Sequence, residues 1–210
     1  MAVATMQHQP AHEPAPQYPA IQPGMMGMYI FLASEVMFFG SLFAMYFYLF
    51  GSHLKWPPPA PSSDFYVNWY PIPVINTVLL LSSGLTCHFG LEAMRHNNRT
   101  RFFILWIATI ILGLAFEFGQ LYEFINAIGR GLTLQVNSFA SAFFIMTGFH
   151  GAHVLGGLVL LILILYRASR GQFSPKHHVG VAAVTLYWHF VDVVWIFLFI
   201  ILYLGVTYFR

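Results

Sequence analysis

Residues 138–166 read SFASAFFIMTGFHGAHVLGGLVLLILILY, twenty-nine positions with no Lys, Arg, Asp or Glu. Its second half, Val154–Leu165, is unbroken aliphatic and glycine sequence. A helix needs about twenty such residues to cross a hydrocarbon core. A membrane β-strand would instead alternate apolar and polar residues over about ten positions, which Val154–Leu165 does not do. Only helices and closed barrels satisfy their backbone in lipid, so this stretch is a membrane helix.

Four more stretches match it, at about 25–50, 74–94, 102–126 and 181–209. None of the five holds a Lys or Arg, and all nine such residues lie between or beyond them. With 58% hydrophobic and 8% charged residues, the chain excludes a soluble fold, where about 25% would be charged. The expectation is an all-α, polytopic membrane protein with five transmembrane helices. Residues 1–24 read as a flexible polar tail and 25–210 as the membrane domain. The tail carries five prolines and no basic n-region, so the first span would serve as a retained anchor.

Arg95, Arg99, Arg101, Arg167, Arg170 and Lys176 fall on the side shared with the N-terminus; Lys55, Arg130 and Arg210 fall on the other. The positive-inside rule then puts the N-terminus inside and the C-terminus outside. Tyr46, Tyr48, Trp69, Tyr70, Tyr203 and Tyr208 crowd the span ends, as an interfacial belt would. Gly40 with Ala44, and Ala152 with Gly156, are small-residue pairs suited to close helix contact. The lone Cys87 cannot form an intrachain disulfide and is expected to pack inside span two. A net charge of +2 gives no reason to expect nucleic acid as a partner.

Each span nevertheless carries an acid or a histidine. An acid at the centre of a span costs about 2.5–3.5 kcal/mol on insertion scales, so these groups should face inward to partners. Glu35, flanked by apolar residues in span one, is either a protonated acid bonded to a neighbouring helix or a proton-active carboxyl. His189 and Asp192 share a face at i,i+3 and fit an interhelical network. His150 and His153 share a face in the same way; they fit neutral imidazoles bonded to other spans, or metal ligands joined by His189. No zinc motif supports the metal, and none is expected. Glu117 and Glu123, six apart, should face different ways, and His88 has Glu92 at i,i+4. Arg167, Arg170, His177 and His178 in the loop after span four suit anionic lipid head groups or simple topological charge.

Several of these residues sit in longer motifs. Ser34-Glu35-Val36-Met37-Phe38-Phe39, Asn76-Thr77-Val78-Leu79-Leu80-Leu81-Ser82-Ser83-Gly84 and Gln120-Leu121-Tyr122-Glu123 come first. Thr147-Gly148-Phe149-His150-Gly151-Ala152-His153-Val154 follows, then His177-His178 and Tyr187-Trp188-His189-Phe190-Val191-Asp192-Val193-Val194-Trp195. In this order, from about residue 25 to the end, they resemble subunit III of haem–copper cytochrome c oxidases.

The resemblance implies an accessory, non-redox subunit of a proton-pumping respiratory oxidase. Haem and copper would sit in partner chains and none in this one, while structural phospholipid would bind here. It implies packing on subunit I, with subunit II and possibly subunit IV nearby, a possible respiratory supercomplex, and a bacterial cytoplasmic membrane. Glu35 matches the family's buried carboxyl, and Arg167 an arginine near lipid phosphate. His150, His153, His189, Asp192 and Glu123 match motif positions expected to fasten helices. Two departures stand out. Mitochondrial-type chains have seven spans against five here, and Ala182 stands where that form often has Glu. The short form is similar also to quinol oxidase subunits and to a nitric oxide reductase accessory protein, although Ser34-Glu35-Val36 and Asn76-Thr77 look more like the cytochrome c branch. An independent proton-coupled transporter using Glu35, Glu117 and Asp192 is the reading from another class.

Overall fold

The computed structural model describes residues 22–58 and 71–205. Five long helices account for nearly all of them: α1 (Pro23–Ser52), α2 (Ile72–Arg95), α3 (Arg99–Gly129), α4 (Ser138–Ser169) and α5 (Val179–Leu198). A π-helical segment, Phe199–Leu204, continues α5. Each helix is long and apolar enough to cross a membrane, so the chain is an all-helical, multi-pass membrane protein. Residues 1–21 of the expected tail, Trp69, Tyr70, Tyr208, Arg210 and the last residues of the fifth expected span lie outside the described residues, while Pro23 and Gly24, expected in the tail, open α1.

The helices run past the apolar stretches because caps, not charges, stop them. Asn98 and Asn137 open α3 and α4 by accepting the Arg101 and Ala140 amides at 3.1 and 2.8 Å. Pro23 and Pro73 stand in the first turns of α1 and α2, where a missing N–H costs nothing. At the other ends, α2, α3 and α4 close with one motif. The amides of Asn97, Gly131 and Gly171 reach Met94, Ile128 and Ala168 carbonyls, and the next amides reach back to Ala93, Ala127 and Arg167. This is the Schellman pairing, which needs a left-handed residue. Asn97 (φ 58°), Gly131 (φ 89°) and Gly171 (φ 72°) supply it.

α2 and α3 form a close hairpin, α4 packs on α3 and α5, and α1 packs on α4 and α5. α5 is the centre: half of its most apolar window is buried, against 11% for α1. Trp188 on α5 carries this arrangement. Its indole fills the gap left by Gly113 on α3 and Gly157 on α4, where an added Cβ would sit only 2.9 and 2.8 Å from the ring. The same ring donates Nε1–H to Ser83 Oγ on α2 at 2.9 Å. One side chain thus joins four helices. Trp106 on α3 (Nε1–H to the Leu161 carbonyl, 2.9 Å) and Trp195 on α5 (Nε1–H to Thr77 Oγ1, 3.0 Å) repeat the device toward the two ends. In hydrocarbon an indole N–H has no water to bond, so each tryptophan fixes a partner helix as well as filling space.

Small residues make the tight contacts, although at other positions than expected. Gly40 meets nothing within 4 Å and Ala44 is exposed, while Ala152 is exposed and Gly156 lies loosely by the Tyr187 hydroxyl. The close approaches fall at Gly84, Gly113, Gly119 and Gly157. The aromatic belt needs a similar correction. Tyr48 is exposed, but Tyr46 and Tyr203 are buried. Tyr46 accepts from Trp56 Nε1–H at 2.9 Å and donates to the Ile201 carbonyl at 3.2 Å, within the π segment. That relay ties the first connection to the end of α5. Cys87 is fully buried in α2, its thiol donating to Thr185 Oγ1 at 3.6 Å.

The α2–α3 and α4–α5 connections, with Arg95, Arg99 and Arg167 on the helix turns that flank them, lie at one end of the bundle, where Arg99 Nη2 donates to the Phe173 carbonyl at 3.5 Å. Outward faces are mostly apolar; on α3, Ile104, Ile111, Phe118 and Ile125 form an exposed stripe. A methyl at Gly157 should therefore lower stability by about 1–3 kcal/mol through overpacking against Trp188. Thermal melts of detergent-purified Gly157→Ala and Gly40→Ala check this, with only the first expected to melt earlier.

Candidate functional site: a carboxyl–imidazole pair between α1 and α4

Glu35 lies about 18 Å along α1 from Pro23, in the middle third of the helix. Its Oε2 is 2.9 Å from His153 Nε2 on α4. Both side chains are mostly enclosed, at 17% and 18% exposure. Phe38 and Phe39 flank the imidazole at 6.1 and 5.0 Å between centroids, and Phe149 closes on Phe38 at 5.1 Å. Tyr187 of α5 donates its hydroxyl to the His153 carbonyl at 2.9 Å, so three helices meet here.

Hydrogen-bond chemistry fixes the proton count of this pair. His153 Nδ1 lies 2.7 Å from the Phe149 carbonyl, which can only accept, so Nδ1 carries a hydrogen. Nε2 and Oε2 can then bond only if one further proton lies between them. It sits on the carboxyl with a neutral ring, or on the ring with a carboxylate. Either way the pair is neutral overall.

The remaining polar groups are dispersed. His150, fully buried, points away from His153. It stacks on Trp195 at 5.0 Å and meets the edge of Phe116, and neither ring nitrogen has a partner. His189 lies beside Asp192 on α5, Nδ1 to Oδ2 3.5 Å. The Asp192 carboxyl rests on Gly84 of α2, where a Cβ would collide with it. The three histidines considered as metal ligands therefore face three neighbourhoods. Among the described residues, no group of three or more His, Cys, Asp or Glu side chains is placed to hold a metal ion.

Glu117 lies against Gly151 of α4, with Oε2 unpartnered. Glu123 instead accepts from the Tyr203 hydroxyl at 3.1 Å. The two acids thus serve different contacts. Glu92 does not take His88; Arg95 (3.3 Å) and His96 (2.9 Å) hold it at the end of α2. At the same end Arg167 Nε donates to Gln172 Oε1 at 2.8 Å with its guanidinium over Phe173, and Arg170 Nη2 donates to the Tyr166 hydroxyl at 2.7 Å. The His177 backbone pairs with Ser174, while His178 Nδ1 is buried without a partner. Tyr187, Phe38 and Phe39 belong to the site although sequence reasoning gave them no role. Their presence inside the two motifs that carry Glu35 and His189 was the available signal.

The family described as "Cytochrome c oxidase subunit III" matches residues 11–206. A cytochrome c oxidase subunit 3 from Thermostichus vulcanus is 40% identical over 181 residues, 86% of each chain. A probable cytochrome c oxidase subunit 3 from Mycobacterium tuberculosis strain H37Rv is 37% identical, covering 85% of this chain and 86% of its own. The Aedes aegypti cytochrome c oxidase subunit 3 is 40% identical over 84% of this chain but 67% of its own, longer length. With every membrane helix inside the matched range, the chain belongs to the cytochrome c oxidase subunit III family.

Proposed function

We propose that this chain is the accessory, non-redox subunit III of a proton-pumping cytochrome c oxidase, in which electrons pass from cytochrome c to oxygen in partner chains. It packs on the haem–copper subunit I, beside subunit II and possibly subunit IV, in a bacterial cytoplasmic membrane. It retains phospholipid and supports proton uptake and durability during turnover. Family membership supports the assignment, and the Glu35–His153 pair is the observation that carries the proton role. A neutral, single-proton bond in the middle third of α1, walled by aromatic rings, can hold a proton without placing net charge in hydrocarbon.

The lipid part of the reading rests on the basic end of the bundle. Arg167 stands in the last turn of α4 and Arg170 at its C-cap, with His177 and His178 at the far end of the loop before α5, where a phosphate would meet them at the level of the head groups. Arg167 uses only Nε internally, and its Nη groups make no hydrogen bond among the described residues. With the N-terminus inside, this end faces the cytoplasm, and the ends of α2, α3 and α4 together with the loop after α4 carry six Lys and Arg toward it.

Two measurements test these points. Glu35→Ala and Glu35→Gln should leave haem content normal but shorten the active lifetime of the turning-over oxidase several-fold. The glutamine keeps a hydrogen bond to His153 Nε2 and carries no acid proton. Full rescue by glutamine would reduce Glu35 to a helix fastener, and unchanged lifetimes in both variants would remove its role. For orientation, alkaline phosphatase joined after Gly131 should be active and after Gln172 inactive; the reverse pattern would invert the topology.

A further inference from the structure

α2 and α5 carry a second polar cluster, on the outward surface of the bundle. His88 of α2 and His189 of α5 stand with ring centroids 6.0 Å apart. His88 is exposed, and the His189 side chain is 38% exposed. Neither lies at the end of its helix. His88 is about 10 Å along α2 from Arg95, and His189 about 15 Å along α5 from Val179. Leu85, Phe89 and Val193, all exposed, surround them with apolar surface.

Hydrogen bonding inside the chain does not satisfy these rings. His189 Nδ1 is turned to Asp192, and its Nε2 makes no bond among the described residues. His88 makes none there with either nitrogen; its ring neighbours are His189 and Phe89. Lipid tails offer neither donors nor acceptors, and water is scarce at this depth, so two unsatisfied imidazoles facing lipid are costly. Polar groups within spans face protein or a water-filled cavity. Gly84 sharpens the point. It lets the Asp192 carboxyl lie against α2, which holds His189 in place beside His88.

We propose that the groove between α2 and α5 at His88 and His189 seats a transmembrane helix of a partner oxidase subunit. That helix inserts one hydroxyl or amide side chain between the two imidazoles. The spacing suits a single small group that donates to one ring and accepts from the other, each imidazole offering one N–H and one lone pair when neutral. Apolar contacts at Leu85, Phe89 and Val193 supply the surrounding packing. The inference rests on the oxidase reading above and adds to it which face meets the partner.

Photo-crosslinking in the assembled complex tests it. Benzoylphenylalanine is placed at Leu85 or Val193, and at Ile111 on the lipid-facing stripe of α3 as control. The complex is then purified by a tag on this chain. Haem co-purifying with the chain checks the oxidase reading separately, so loss of haem and loss of the cross-link are distinct failures. The expected result is a covalent adduct of the Leu85 and Val193 probes with one membrane-embedded partner subunit, and none from Ile111. Combining His88→Leu and His189→Leu should lower that adduct by about threefold or more, the effect of losing one interhelical hydrogen bond in a membrane. Adducts only with lipid, adducts with a second copy of this chain, or a yield unmoved by the histidine changes would each overturn the proposal.

Discussion

The bundle depends on one constraint: a bulky indole at the centre of α5 must be accommodated by three neighbouring helices at once. Trp188 meets glycine on α3 and on α4, and a serine hydroxyl on α2. In water, burial of such a ring would itself drive association. Between helices already in lipid that drive is missing, and shape and hydrogen bonding decide the packing. The glycines give the ring its space, and Ser83 gives its N–H an acceptor in a place without water. The neighbours then follow in register. Trp195 reaches Thr77, Trp106 reaches the Leu161 carbonyl, and Asp192 comes to rest on Gly84.

Much of this architecture was legible in the sequence, and the limits have physical causes. The number of helices followed from where Lys and Arg are missing, because charge is what hydrocarbon rejects. Helix ends did not follow. Arg99 and Arg101 lie inside α3, whose start is set by the Asn98 cap, and α3 runs on to Gly129, where Gly131 closes the Schellman pairing. Charge marks the edge of the lipid, while capping marks the edge of the helix. Local spacing was a partial guide to side-chain pairs. It joined His189 to Asp192, one turn away. It offered His88 to Glu92, but Arg95 and His96 compete for that carboxylate on the solvated end.

Partners between helices were the least legible. Glu35 and His153 are 118 residues apart, and nothing in either local pattern selects the other. The i,i+3 spacing of His150 and His153 suggested a shared destination. Residues at that spacing still diverge by about 60° around the axis, enough for a four-helix junction to separate them. His150 turned into the aromatic interior against Trp195 and Phe116, and His153 toward α1. Tyr46 and Tyr203 show the same limit. Their positions near span ends suited the interface, yet both point inward because the π segment exposes a carbonyl at one and Glu123 waits for the other.

That π segment matters for the phase of the helix as well as for its packing. A turn of this kind holds one residue more than an α-turn of the same rise. The stretch Phe199–Leu204 thus takes up an extra residue inside a membrane span, where loops would normally take it up. Residues before it keep the phase that Trp188 and Asp192 require, while Tyr203, within it, meets Glu123. Wound as an uninterrupted α-helix, the same residues would be displaced by about 100° around the axis, and Tyr203 would turn away from Glu123.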